Sequence, residues 1–88
     1  MMSTVADIVA EMRNNLKGIR FTDAVTVCNH YFGNPRQKSS SHHVYKTPWI
    51  GNPRVNIQNE KGKAKAYQVR QILAAIDKLE AEHAKENR

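Results

Sequence analysis

The chain has 88 residues, of which 40% are apolar and 25% charged, and its net charge is +6 at neutral pH. This length predicts one domain with a small core, because a short chain buries a smaller fraction of its surface than a long one. The single cysteine, Cys28, excludes an internal disulfide and a cysteine-rich zinc site. Its apolar position in a predicted helix indicates a buried thiol.

The sequence contains no apolar run of about 18 residues, and no basic stretch leads into an apolar segment. We therefore expect a soluble protein of the reducing cytosol, without membrane association. The positive charge is concentrated in residues 36–70, which hold eight basic side chains and a single acid, Glu60. This concentration predicts a polyanionic partner, most simply nucleic acid. A solvated basic face without a partner is the alternative.

The first half of the chain predicts two helices. Residues 3–17 carry apolar side chains at helical spacing, with a cap at Ser3 or Thr4 and a stop at Gly18. A second helix is predicted to start after the cap Thr22 and to end at Gly33. Its many β-branched residues allow a strand over 24–28 instead, but apolar spacings of three and four favour the helix.

The second half of the chain predicts strands followed by a helix. In chain order these are a strand over 42–47, a hairpin connection over 48–53, a strand over 54–58, a basic loop over 59–65, a helix from 66 to about 82, and a fraying tail over 83–88. The pattern predicts an α+β fold, in which helices cover one face of a small antiparallel sheet. The other face of the sheet is then open to solvent or a ligand.

Two adjacent histidines, His42 and His43, open the first predicted strand. Adjacent strand residues point to opposite faces of a sheet, so the two imidazoles are expected in different environments. His42 shares its face with Lys46, which is the residue least expected beneath a helix. We therefore predict that His42 faces the open side and that His43 packs inward with Tyr45. The same alternation predicts that Val44 is exposed.

A solvent-facing histidine beside a lysine suits the cleavage of RNA. The 2′-hydroxyl of RNA attacks the adjacent phosphate, so a protein can promote cleavage by moving protons and stabilising charge. Histidine exchanges protons near neutral pH, and lysine or arginine stabilises the charge that develops on the phosphate. The alternative is that both histidines are polar strand residues without a role.

Three motifs occur in order: "SSHHVY" at 40–45, "PRVNIQ" at 53–58 and "KGKAKAYQVRQILAAI" at 61–76. Together they resemble the HicA-type mRNA interferase toxins of bacterial and archaeal toxin–antitoxin systems. The resemblance runs from about residue 21 to about residue 79. It implies an N-terminal helical extension over 1–20, a HicA-like domain over 21–82 and a polar tail over 83–88. The implied fold is double-stranded-RNA-binding-like, with a three-stranded antiparallel sheet and helices on one face.

The resemblance also implies an activity and a partner. It implies cleavage of mRNA without a metal or cofactor, arrest of translation and growth, and neutralisation by a HicB-type antitoxin. The family's active histidine corresponds to His42, with His43 as the next candidate, and Ser41 matches the family serine. Ser40 stands where the family has a glycine.

The second proton carrier is left open by the sequence. The family often has a proline and a histidine where this chain has Gln58 and Asn59, so that histidine is missing here. His43, Tyr45 and Lys46 are candidates, and water is a further possibility for protonating the leaving group.

The residues predicted to bind the RNA backbone are Lys46, Arg54, Lys63, Lys65 and Arg70. Backbone amides of the turn at Gly62 are expected to assist them. Trp49 is either a base-stacking residue or a hairpin anchor, whereas Tyr67 is predicted to pack. His30 and His83 lack the neighbours that a metal site needs.

Two other functions are also compatible with the sequence. A non-catalytic RNA-binding module would use the same basic face, and a structural subunit would bind an acidic protein there. The apolar stripe of the N-terminal helix favours packing against the core over an interface with the antitoxin or a second copy.

Overall fold

The computed structural model describes residues 4–39, 41–47 and 54–86. Within these ranges the elements are, in chain order, α1 (Val5–Asn14), α2 (Phe21–Phe32), β1 (Gln37–Lys38), β2 (His42–Lys46), β3 (Arg54–Glu60), β4 (Lys63–Ala64) and α3 (Ala66–Glu86). The strands form an antiparallel sheet in the order β1-β2-β3-β4. The α+β class predicted from the sequence is confirmed. No helix in the described ranges combines the length and apolar character needed to cross a membrane.

Helix α1 begins with a reciprocal cap. The hydroxyl of Thr4 accepts a hydrogen bond from the Asp7 N–H at 3.1 Å, and the Asp7 carboxylate accepts one from the Thr4 N–H at 3.3 Å. Each bond satisfies an amide that has no partner within the helix. The predicted cap at Thr4 is confirmed.

Helix α1 is a layer of the core. Ile8 and Met12 are buried in the same apolar cluster as residues of α2 and α3. At the surface, Arg13 donates a hydrogen bond to Asp77 of α3, with 2.7 Å between the guanidinium nitrogen and the carboxylate oxygen. Core packing, the role favoured by the apolar stripe, is confirmed.

Segment 24–28 lies within α2, so the helix is confirmed and the alternative strand is wrong. The helix begins at Phe21 with Arg20 in the N-cap position, and the predicted cap at Thr22 is therefore also wrong. Its start is fixed by tertiary pairing, because the Phe21 N–H donates to the Gly62 carbonyl at 3.0 Å. A contact between residues so distant in sequence leaves no local signal.

Strands β3 and β4 form a hairpin where the sequence predicted a loop. Residues 59–60 pair with residues 63–64, and the two turn residues, Lys61 and Gly62, have φ values of +53° and +87°. Two successive positive φ values are typical of a type I′ hairpin turn. The side chain of Asn59 accepts a hydrogen bond from the Gly62 N–H at 2.7 Å and holds this turn closed.

Helix α3 extends to Glu86, four residues beyond the predicted end. The chain was expected to fray from residue 83, and this expectation is wrong for residues 83–86, which are helical. Alanine, lysine and glutamate have high intrinsic helix propensity, so a polar segment rich in them can continue a helix without burying an apolar face. The buried stripe of α3 includes Val69, Ile72 and Ile76, as its spacing predicted.

The core lies between the helices and one face of the sheet. The sheet contributes Tyr45, Val55 and Ile57, which pack with apolar residues of all three helices. Cys28 of α2 is fully buried in this cluster, which confirms the predicted buried thiol. Burial raises the pKa of Cys28 to about 12, so the thiol is protonated and unreactive at neutral pH.

Candidate active site

The two adjacent histidines occupy different environments, as the alternation of a strand predicted. His43 is buried on the core face, where it lies opposite Ile57 of β3. His42 is half-buried on the other face and lies opposite Gln58.

A hydrogen-bonded chain holds His43 in the core. The Tyr45 hydroxyl donates to Asn29 Oδ1 at 2.9 Å, and its oxygen lies 3.3 Å from His43 Nδ1. Because the hydroxyl proton is directed to Asn29, the tyrosine oxygen accepts from an Nδ1–H, which fixes the tautomer of a neutral imidazole. Phe21 packs edge-on at 5.3 Å between ring centroids. Burial, and secondarily the charge of Lys38, lowers the pKa of His43.

His42 lines a shallow depression of about 300 Å³, which we call the His42 cleft. Its described lining residues are Ser41, His42, Gln58, Asn59, Glu60 and Lys65. The backbone here is fixed by the Ser39 N–H donating to the His42 carbonyl at 2.9 Å and the Asn59 N–H donating to the Ser41 carbonyl at 2.8 Å. None of the hydrogen bonds among described residues engages the imidazole of His42. Its ring is therefore available to exchange a proton with a bound molecule.

A second depression of about 400 Å³, the lysine cleft, adjoins the first. Its lining residues are Lys17, Glu60, Lys61, Lys63, Ala64, Lys65 and Ala66. Glu60 and Lys65 line both depressions and so join the His42 cleft to the lysine cleft. Lys17 was not predicted from the sequence, and the fold brings it beside β4 from the connection between α1 and α2.

The first turn of α3 adds positive potential to the lysine cleft. The Lys65 carbonyl accepts from the amides of Gln68 and Val69, each at 3.0 Å, so the amides of Ala66 and Tyr67 have no partner within the helix. No acidic residue lies in this turn. Free amides at a helix N-terminus favour anions, and the lysines add charge of the same sign.

A third depression of about 270 Å³, the amide cleft, lies between β3 and the start of α3. Its described lining residues are His42, Asn56, Gln58, Tyr67, Gln68 and Gln71. Gln68 is buried, and its Oε1 accepts the Gln58 N–H at 2.8 Å, just beyond the point where β4 stops pairing with β3. Tyr67 is 54% exposed, so the prediction that it packs is wrong. Its position lies away from the buried stripe of α3.

The residues predicted to bind the RNA backbone fall into separate groups. Lys63 and Lys65 line the lysine cleft. Lys46 and Arg54 lie opposite each other at the far end of β2 and β3, and the strand rise places them roughly 13 Å from His42. Arg70 is exposed on α3 and is not among the described residues that line the three clefts.

The face of the sheet that carries His42 is not uniformly open. Val44 lies between His42 and Lys46 on this face and is only 4% exposed, so its predicted exposure is wrong. It belongs to a central strand and has cross-strand neighbours on both sides, Gln37 and Asn56. A buried apolar residue therefore separates the Lys46–Arg54 pair from the His42 cleft.

The structure changes the set of possible second proton carriers. His43 and Tyr45 are buried on the opposite face of β2, and Lys46 lies at its far end. Glu60 instead lines the same cleft as His42. The sequence held one signal for it, since Glu60 is the only acid in the basic segment.

No model of a known protein family matches this sequence, and comparisons with curated proteins and with solved structures also find no match. The resemblance to HicA toxins therefore rests on the sequence motifs at 40–45, 53–58 and 61–76 alone.

His30 is not among the described residues that line the clefts. His30 is exposed on α2. In the ranges that the structure describes, no group of three His, Cys, Asp or Glu side chains is placed to hold a metal ion. Ser40, Trp49 and the side chain of His83 lie outside the described residues.

Proposed function

We propose that this protein is an endoribonuclease that cleaves mRNA through proton transfer at His42, and that it is the toxin of a HicA-type toxin–antitoxin system. The observation that carries the proposal is the continuity of two clefts. The imidazole of His42, which has no hydrogen-bond partner among the described residues, lies in one, and Lys65 and Glu60 connect it to the lysine cleft. The HicA-like motifs independently point to the same histidine.

The lysine cleft is assigned to the RNA backbone. Lys17, Lys61, Lys63 and Lys65 provide four positive charges around the free amides of the first turn of α3, and phosphate oxygens are the ligands that such groups prefer. A strand that follows this cleft reaches the His42 cleft at Lys65. One of its phosphates then lies beside the imidazole, where Lys65 stabilises the charge that develops during cleavage.

The proposed reaction needs two proton transfers. The 2′-oxygen attacks the adjacent phosphorus, and the bond between phosphorus and the 5′-oxygen of the next nucleotide breaks. Glu60 accepts the 2′-hydroxyl proton, and protonated His42 donates a proton to the departing 5′-oxygen. The products are a 2′,3′-cyclic phosphate and a free 5′-hydroxyl. Ser41, beside His42 in the cleft, is assigned to positioning the phosphate.

The proposed fold relationship and partner follow from the same resemblance. The order α2-β1-β2-β3-α3 supports a double-stranded-RNA-binding-like fold, to which α1 and β4 are additions. A HicB-type antitoxin would neutralise the enzyme in the cytoplasm by covering His42. The basic surroundings favour an acidic covering surface.

The proposal is tested by inducing the protein in a bacterial host that lacks the antitoxin. We expect growth arrest and mRNA cleavage with the wild type, and neither with a folded His42→Ala variant. His30→Ala is the matched control, because His30 is an exposed histidine outside the clefts. Growth arrest without cleavage, retained in His42→Ala, would favour the RNA-binding module. Absence of any RNA affinity would favour a subunit that binds an acidic protein.

A further inference from the structure

The three clefts around His42 differ in chemistry. The lysine cleft contains four lysines and no aromatic side chain among its described lining residues. The amide cleft contains Asn56, Gln58, Gln68, Gln71 and the exposed Tyr67, and its described lining residues include no lysine, arginine, aspartate or glutamate. His42 lines the amide cleft as well as its own. The imidazole therefore stands at a boundary between surfaces suited to phosphates and to neutral polar groups.

We infer that the amide cleft binds one unpaired nucleobase of the nucleotide next to the phosphate at His42, and so determines which RNA sequences are cut. This inference rests on the proposed ribonuclease function and adds a specificity site to it. The sugar–phosphate backbone follows the lysine cleft, and the adjoining base turns into the amide cleft.

Two amide side chains in this cleft are available to a ligand. None of the hydrogen bonds among described residues engages the side chains of Asn56 or Gln71. Each carboxamide offers a carbonyl acceptor and two N–H donors. Nucleobase edges present the same neutral donors and acceptors, and in RNA they are read from unpaired bases. The lysine cleft, with four lysines among its lining residues, is the better site for a phosphate.

Tyr67 provides an exposed ring for stacking, and the buried side chain of Gln68 holds the ring in position. Gln68 is only 2% exposed and donates from Nε2 to the Tyr67 hydroxyl at 3.4 Å and to Gln58 Oε1 at 3.5 Å. It also accepts the Gln58 amide. One buried side chain thus links the tyrosine to the edge of β3. An exposed aromatic ring held in this way is suited to stacking against a base.

The arrangement favours single-stranded RNA over a duplex. A base within a duplex is stacked on both faces and paired along one edge, so it cannot contact the ring of Tyr67 and the amide of Gln71 together. An unpaired base can be turned out of the strand to meet both. Tyr67 and Gln71 are four residues apart on α3 and therefore lie on the same side of the helix.

The test compares RNA analogues that carry the same charge with and without bases. The probes are 2′-O-methyl octamers of each of the four bases, which lack the attacking hydroxyl, and an abasic octamer with the same phosphates. We expect the wild type to bind at least one base-bearing octamer roughly tenfold more tightly than the abasic octamer. Tyr67→Ala should lose most of that difference without changing the affinity for the abasic octamer. Tyr67→Phe keeps the ring but loses the hydrogen bond from Gln68, so it should retain more of the difference than Tyr67→Ala.

Two further variants separate base recognition from backbone binding. Gln71→Ala should change the ranking of the four octamers, whereas Lys63→Ala should weaken binding to all five to a similar degree. Equal affinity of the wild type for base-bearing and abasic octamers would overturn the inference, as would an equal loss for all probes in Tyr67→Ala. Circular dichroism of each variant checks that the fold is retained.

The experiments distinguish failure of this inference from failure of the proposed function. Cleavage is measured separately on 2′-hydroxyl RNA, and a protein that cuts none would refute the ribonuclease proposal while the octamers still test the cleft. If the wild type cleaves with a sequence preference that Tyr67→Ala leaves unchanged, the inference fails and the proposed function stands.

Discussion

The two faces of β2 place two histidines that are neighbours in the sequence in different environments. On the core face, His43 is enclosed by Phe21 and Tyr45 and held neutral by burial. On the other face, the ring of His42 has no hydrogen-bond partner among the described residues and borders two clefts. The contrast shows that two adjacent histidines on one strand can have different surroundings. We therefore expect substitution of His43 to affect stability and substitution of His42 to affect reaction rate.

The largest effect is expected from His42→Ala on the cleavage rate. Loss of a general acid or base typically slows a reaction by about 10²–10⁴-fold, while the free energy of unfolding should change by less than about 0.5 kcal/mol. Single-turnover cleavage of a labelled RNA and urea denaturation measure the two quantities. A variant that cleaves as fast as the wild type would remove His42 from the mechanism.

A smaller loss of rate is expected from Glu60→Gln, which keeps the shape of the side chain but removes its ability to accept a proton. We expect cleavage to slow by about 10²-fold. RNA affinity should be unchanged or slightly higher, because a negative charge leaves the lysine cleft. Binding to an RNA analogue without a 2′-hydroxyl separates the two effects. Unchanged cleavage would assign proton acceptance to water or another group.

On the core face, His43→Ala should reduce the free energy of unfolding by about 2–4 kcal/mol, since it removes a buried ring and the hydrogen bond to Tyr45. Urea denaturation measures this loss. The comparison between the faces would break down if His43→Ala were as stable as the wild type, or if a folded His43→Ala lost cleavage as completely as His42→Ala.

The pH dependence of stability should also follow from His43. Its pKa in the folded protein is lowered by burial and by Lys38, whereas in the unfolded chain it has its ordinary value of about 6.5. The unfolded chain therefore binds a proton more readily. The stability that neutral His43 contributes is complete above about pH 6.5 and is lost as the pH falls through the lowered pKa. Denaturation across this range should show a decline that is weaker in His43→Gln than in the wild type.

The smallest expected effect concerns the turn between β3 and β4. Lys61 has a φ of +53°, a conformation that asparagine adopts more readily than lysine. Lys61→Asn should therefore stabilise the fold by about 0.5–1 kcal/mol. It should also weaken RNA binding, because it removes one charge from the lysine cleft. Gly62→Ala is the opposing control and should destabilise the fold, because a φ of +87° is strained for alanine. An added Cβ would meet no atom within 4 Å, so the backbone conformation is the cause.

Local patterns in the sequence were sufficient to predict that the three helices form and which way the two histidines face, but not where α2 begins or where α3 ends. The capping residues Thr4 and Asp7, the apolar spacing of α2 and α3, and the alternation along β2 all act over a few residues. Each therefore leaves a signal in the sequence. The opposite faces of His42 and His43 follow directly from the strand period of two.

The composition of the clefts was decided by tertiary structure. Pairing of the segment before α2 with β4 sets the start of α2 and brings Lys17 beside Lys63. Packing of α3 against β3 leaves Tyr67 exposed, and the neighbouring strands account for the burial of Val44. A residue's periodicity indicates which face it occupies but not which distant residues share that face. Those neighbours depend on contacts between segments that are far apart in the sequence.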